Sequence, residues 1–208
     1  MQYTGEPVPG IRDLISSSME STRTFSADTE AGLWQQVAAD MASQQELFEY
    51  EAVLRYGGYR VQLDIDIDLG GGFESGSEST TLTAPVPGHV ALRFALHEQD
   101  WVHELGKLLG LTDIELGDPE LDAAYIITAN DPAALRAALA DPALRQTLLR
   151  YPGLRLVLAP ESHAPDSDVY LTASIDRALP EPAQLQEVYH LLLALLQQIA
   201  PLPGAGPR

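Results

Sequence analysis

Leu33, Val37 and Met41 are spaced by four, with Trp34 and Ala38 beside them, a helical repeat that predicts a first helix from a cap at Asp28 through Leu47. The pattern then changes period. Residues 48–54 and 59–69 alternate apolar with polar side chains around Gly57-Gly58, and a glycine pair between two alternating runs predicts a hairpin with a tight turn. Gly70-Gly71-Gly72 opens a polar stretch to Ser79 with nothing to bury, which reads as an exposed, flexible loop. Further strands are predicted at 80–85 and 89–97, followed by a short helix at 100–109 whose apolar residues share one face and which stops at Gly110. After an acidic turn around Gly117-Asp118-Pro119, the run Tyr125-Ile126-Ile127-Thr128, rich in strand-forming residues, predicts another strand. Asp131-Pro132 and Asp141-Pro142 each predict a helix start, the aspartate capping free N–H groups and the proline occupying the first helical position. Strands at 154–159 and 169–175 precede a last helix beginning at Pro180 or Pro182. Its stripe of Leu185, Val188, Tyr189, Leu192, Leu195, Leu196 and Ile199 faces the core, with His190 on the other side.

Hairpins outnumber strand-helix-strand units in this order, which predicts an α+β fold: a mainly antiparallel sheet with helices packed on one face and a long C-terminal helix. Residues 1–27 read as an N-terminal arm, 28–200 as a single domain, and 201–208 as a flexible tail.

The chain has 208 residues, 45% of them hydrophobic, enough to bury a core without disulfide or metal. There is no cysteine, which excludes thiol nucleophiles, zinc ribbons and disulfide scaffolds. Thirty acidic residues against twelve basic ones give a formal charge of -18, and such a surface repels phosphate backbones and anionic lipid. The start of the chain lacks the basic and apolar regions of a secretory leader, and its longest apolar run is interrupted by His190, so the expectation is a cytoplasmic protein without membrane insertion or nucleic-acid binding.

Three carboxylates, Asp64, Asp66 and Asp68, alternate with Leu63, Ile65, Ile67 and Leu69, so one face of a strand carries all three. A calcium loop would need glycine after the third acid and a glutamate six residues further on; Leu69 and the out-of-step Glu74 break that pattern. The five histidines never fall in a His-Glu-x-x-His spacing, no Gly-x-Ser-x-Gly elbow accompanies the serines, and 70–76 lacks the lysine that closes a phosphate loop. The reading therefore assigns no catalytic residue, no metal site and no cofactor.

The stretch Gly117-Asp118-Pro119-Glu120-Leu121-Asp122, followed by Tyr125-Ile126-Ile127 and Asn130-Asp131, resembles an uncharacterised bacterial domain family in which a Gly-Asp-Pro-Glu-x-Asp turn precedes a strand and a helical pair. The resemblance covers about residues 80–200. It departs at Leu121, where an aromatic is usual, and at Ala123-Ala124, where charged residues are. It implies a bacterial origin and an α+β fold, and transfers no activity.

Between residues 64 and 122 lie thirteen acidic residues and two basic ones, Arg93 and Lys107. The reading is accordingly a bacterial protein-interaction module, an adaptor, secretion-chaperone-like protein or immunity-type inhibitor, that meets a basic protein partner through Asp64, Asp66 and Asp68 or through Asp118, Glu120 and Asp122. The alternative is a small-molecule-binding or hydrolytic domain with its pocket near the 117–122 turn.

Overall fold

Gly57 and Gly58 both adopt positive φ, 58° and 85°, the left-handed geometry that lets a two-residue turn follow the twist of the strands it joins. They connect β2 (Glu49–Tyr56) to β3 (Tyr59–Asp68) in a fully paired antiparallel ladder from Tyr56↔Tyr59 to Glu49↔Asp66. This hairpin is the centre of one half of the sheet. The computed structural model describes residues 23–44, 48–70, 76–98, 111–161 and 167–202; the helix expected at 100–109, the glycine run at 71–72 and residues 1–22 lie outside them.

Around the hairpin the chain lays down β1 (Arg23–Ser26), β4 (Ser77–Val86), β5 (Phe94–His97), β6 (Thr112–Asp113), β7 (Ile126–Ala129), β8 (Arg155–Pro160) and β9 (Val169–Ile175). The nine strands form one sheet in the order β1-β2-β3-β4-β9-β8-β5-β7-β6. Every pairing is antiparallel except β1 with β2. That parallel pair is joined through α1 (Glu30–Ser43), the crossover a parallel connection requires. The remaining described helices are α2 (Pro119–Ala124), α3 (Pro132–Ala138), α4 (Pro142–Arg150) and α5 (Pro182–Ile199). The fold is α+β, as the hairpin count predicts.

The core lies between the sheet and α5. Leu63, Leu82, Ala84, Leu171 and Ala173 are fully buried on the inner face, and Leu185, Leu191, Leu192 and Leu195 on the helix. α5 touches β4 and β9 on one side and α1, α3 and α4 on others. This is why Leu191 and Leu193, outside the predicted stripe, are buried as well. Tyr59 fastens the end of that helix to the hairpin: its hydroxyl donates to Ala200 O at 3.1 Å and accepts from Leu202 N–H at 3.2 Å.

Several local expectations are corrected. The cap of α1 is Thr29, whose Oγ1 accepts from Gly32 N–H at 3.0 Å, rather than Asp28. Residues 23–26 are not part of an arm but the edge strand of the sheet. The loop expected through Ser79 has already become strand at Ser77, because Gly76 allows close approach; a Cβ there would stand 2.3 Å from Asp68 O. The strand expected at 89–97 is confined to Phe94–His97, since the Arg93 guanidinium donates to Val90 O and Leu92 O at 2.6 Å and holds the preceding residues in a turn.

The buried Thr80 hydroxyl ties the sheet to the entry of α5 in both directions. It donates to Arg177 O and accepts from Leu179 N–H, each at 3.0 Å. Thr80→Val keeps the shape and removes both bonds, so it is expected to destabilise the protein by about 1–3 kcal/mol in urea unfolding, the usual cost of stranding buried polar groups.

Candidate cation-docking face

On the face of β2, β3, β4, β9 and β8 turned away from α5 the side chains are partly exposed or exposed, except for Val53 on β2, which is buried opposite Gln62. The strand period of two fixes which residues stand there. On β3 these are Arg60, Gln62, Asp64, Asp66 and Asp68, on β2 Glu49, Glu51 and Arg55, on β4 Ser79, Thr81 and Thr83. Tyr170, Thr172 and Ser174 continue the face on β9, and Arg155, Val157 and Ala159 on β8. The face closes at β5 and β7, where Ala95, His97 and Thr128 are buried.

The ladder puts like charges directly across from one another. Glu51 is opposite Asp64 and Glu49 opposite Asp66, an arrangement that costs stability where hydrophobic or opposite-charge pairs would add it. The Asp64 carboxyl is raised above the usual carboxylate range, first by its partial burial and then by the neighbouring Glu51, Asp66 and Glu49. Among the described residues none of Glu49, Glu51, Asp64 or Asp66 has a basic partner; the basic side chains in ion pairs are Arg23, Arg145, Arg150, Arg155 and His190. The carboxylates are spaced by the pleat, and no group of three or more among the described residues converges as metal ligands would. Such a surface suits several separated cationic side chains.

Asp68 shares the strand face but turns to its own chain, accepting from Gly70 N–H at 2.9 Å. The second predicted group sits at the far edge of the sheet. From β3 to β6 there are six strand steps, about 29 Å at the usual spacing, so the two groups do not form one site. What reads in sequence as an acidic turn is the start of α2. Asp118 caps it by accepting from Glu120 and Leu121 N–H at 3.2 and 3.3 Å. Those backbone bonds, chiefly that of Leu121, together with Arg145 hold its carboxyl below the usual range. Asp122 accepts from Leu116 N–H at 2.7 Å and Gly117 N–H at 2.9 Å. Both carboxylates are engaged in holding the loop, while Glu120 is exposed beside them.

No family model matches the chain, and no curated protein and no solved structure matches it either.

A trough of about 550 Å³ crosses the open face. It is floored and walled by Gln62, Thr81, Thr83, Tyr170 and Thr172 with Val157, Ala159 and Pro160, and it carries Asp64 and Glu161. Sequence reading missed Glu49, Glu51 and this trough. The signal for the glutamates was present in Glu49-Tyr50-Glu51-Ala52, the same alternation as in β3. The trough had none, because its two halves, β3 with β4 and β8 with β9, meet only through the pairing of β4 with β9, between residues about ninety positions apart.

Proposed function

We propose that the chain is a non-enzymatic bacterial protein-interaction module, of the adaptor, secretion-chaperone or immunity-inhibitor kind, whose open sheet face receives a basic protein partner. The observation that carries this reading is the double opposition of Glu51 with Asp64 and Glu49 with Asp66. A fold keeps a destabilising cluster of unpaired charge where a counter-charge arrives from outside. The overall charge of -18 adds long-range attraction for a cationic partner and speeds encounter. The turn at 117–122 offers less to a partner or substrate, since Asp118 and Asp122 are held by their own backbone.

The test is the salt dependence of binding to a defined probe, an arginine octapeptide. Binding that weakens steeply between low and physiological ionic strength supports the reading. Absence of binding at low salt, or binding indifferent to salt, contradicts it.

A further inference from the structure

The trough on the open face holds more specific information than its charge. Gln62, Thr81, Thr83, Tyr170 and Thr172 line it, and none of these side chains hydrogen-bonds to another described residue. Together they present both donors and acceptors: three threonine hydroxyls, a phenol and an amide. Peptide groups need both, one N–H and one C=O per residue, whereas a free polyamine offers only donors. Val157, Ala159 and Pro160 form an apolar wall beside them. One carboxylate stands at each end, Asp64 on β3 and Glu161 just beyond β8.

We infer that the trough receives an extended segment of the partner that crosses the strands obliquely, with one basic side chain at Asp64 and a second at Glu161. This deepens the docking reading above and rests on it. Asp64 and Glu161 are separated by three strand steps in the order β3-β4-β9-β8, about 14 Å, and by six residues along β8 from the level of Arg155, about 20 Å. The register sets that offset, through Asp64↔Thr81↔Ser174↔Arg155. Their backbones are therefore about 25 Å apart. The reach of both acidic side chains and both basic ones shortens the span left to the peptide backbone to roughly 15 Å, which is about four or five extended residues. The intervening residues are small or β-branched, to lie against Val157 and Ala159 while their backbone meets the threonines and Gln62. Partial desolvation of Asp64 makes an arriving cation more effective there than at an exposed acid.

The experiment titrates the protein with blocked peptides in which two arginines are separated by zero to eight alanine or threonine residues, by calorimetry at low salt. Affinity is expected to peak near three or four intervening residues, at least tenfold above the peptide with adjacent arginines. Asp64→Asn and Glu161→Gln should each remove that optimum, while Asp113→Asn at the far edge leaves it in place. Melting temperatures at or above that of the unmodified protein will show that the variants are folded. Affinity that ignores spacing, an optimum untouched by Glu161→Gln, or spermine binding as tightly as the best peptide would overturn the inference. Spacing-independent binding that still falls steeply with salt leaves the docking reading standing, whereas no cationic peptide binding at all removes both.

Discussion

Replacing Leu192 by alanine is expected to destabilise the protein by about 2–5 kcal/mol, the range for emptying a fully enclosed leucine site. Leu192 has no exposed surface and belongs to a helix packed on the sheet and on three other helices, so its surroundings have little room to collapse into the cavity. For a chain of this size each kcal/mol lowers the melting temperature by about 2–4 °C. His190, two residues away, provides the contrast. Its side chain is 60% exposed and its Nδ1 lies 3.2 Å from Glu30, an exposed pair that contributes at most about 1 kcal/mol. His190→Ala should therefore cost much less than Leu192→Ala. Comparable losses from the two, measured by urea unfolding, would mean that the helix is rotated from the orientation described.

A second large effect is expected on binding. Changing Glu49, Glu51, Asp64 and Asp66 together to their amides should weaken the arginine octapeptide roughly ten- to a hundredfold, with each exposed charge contributing a few tenths of a kcal/mol or more. The same variant should be more stable than the unmodified protein, because two opposed like-charge pairs disappear, each costing about 0.2–1 kcal/mol. The sign of its pH dependence follows from Asp64, whose carboxyl is raised in the folded state. As pH rises, the unfolded chain ionises this group first, so the penalty on folding appears above the ordinary carboxylate range and is absent below it. The stability advantage of the variant should be full at neutral pH and shrink toward about pH 3. Asp118 and Asp176 have the opposite sign. Their carboxyls are lowered, by backbone N–H groups and by Arg155 respectively, and the stability they provide at neutral pH is lost on acidification. Unfolding curves at the two pH values read both effects.

How much of this was legible in the chain depended on how local each determinant is. The Gly57-Gly58 hairpin and the helix starts at Asp131-Pro132 and Asp141-Pro142 are written in adjacent residues, and all of them form. Asp118-Pro119 has the same grammar and also starts a helix. Its surroundings read as a turn because α2 is only six residues long and has little apolar periodicity. β1 escaped notice because four residues on a sheet edge need bury little, and its pairing is with a strand on the far side of α1. The alternation of Asp64, Asp66 and Asp68 placed three acids on one face correctly, since that depends only on the pleat. Their setting was hidden. It depends on which strands become neighbours, and Thr83 meets Thr172 only through a long-range pairing that no local pattern encodes.

Docking of cations on the open sheet face can be read residue by residue from the backbone amide shifts of isotope-labelled protein during titration with the arginine octapeptide. The largest shifts are expected on β2, β3 and β4, at Glu49, Glu51, Asp64, Asp66 and Thr81, with α4 and α5 nearly unmoved. Largest shifts at Gly117–Asp122, or along the helices, would contradict it.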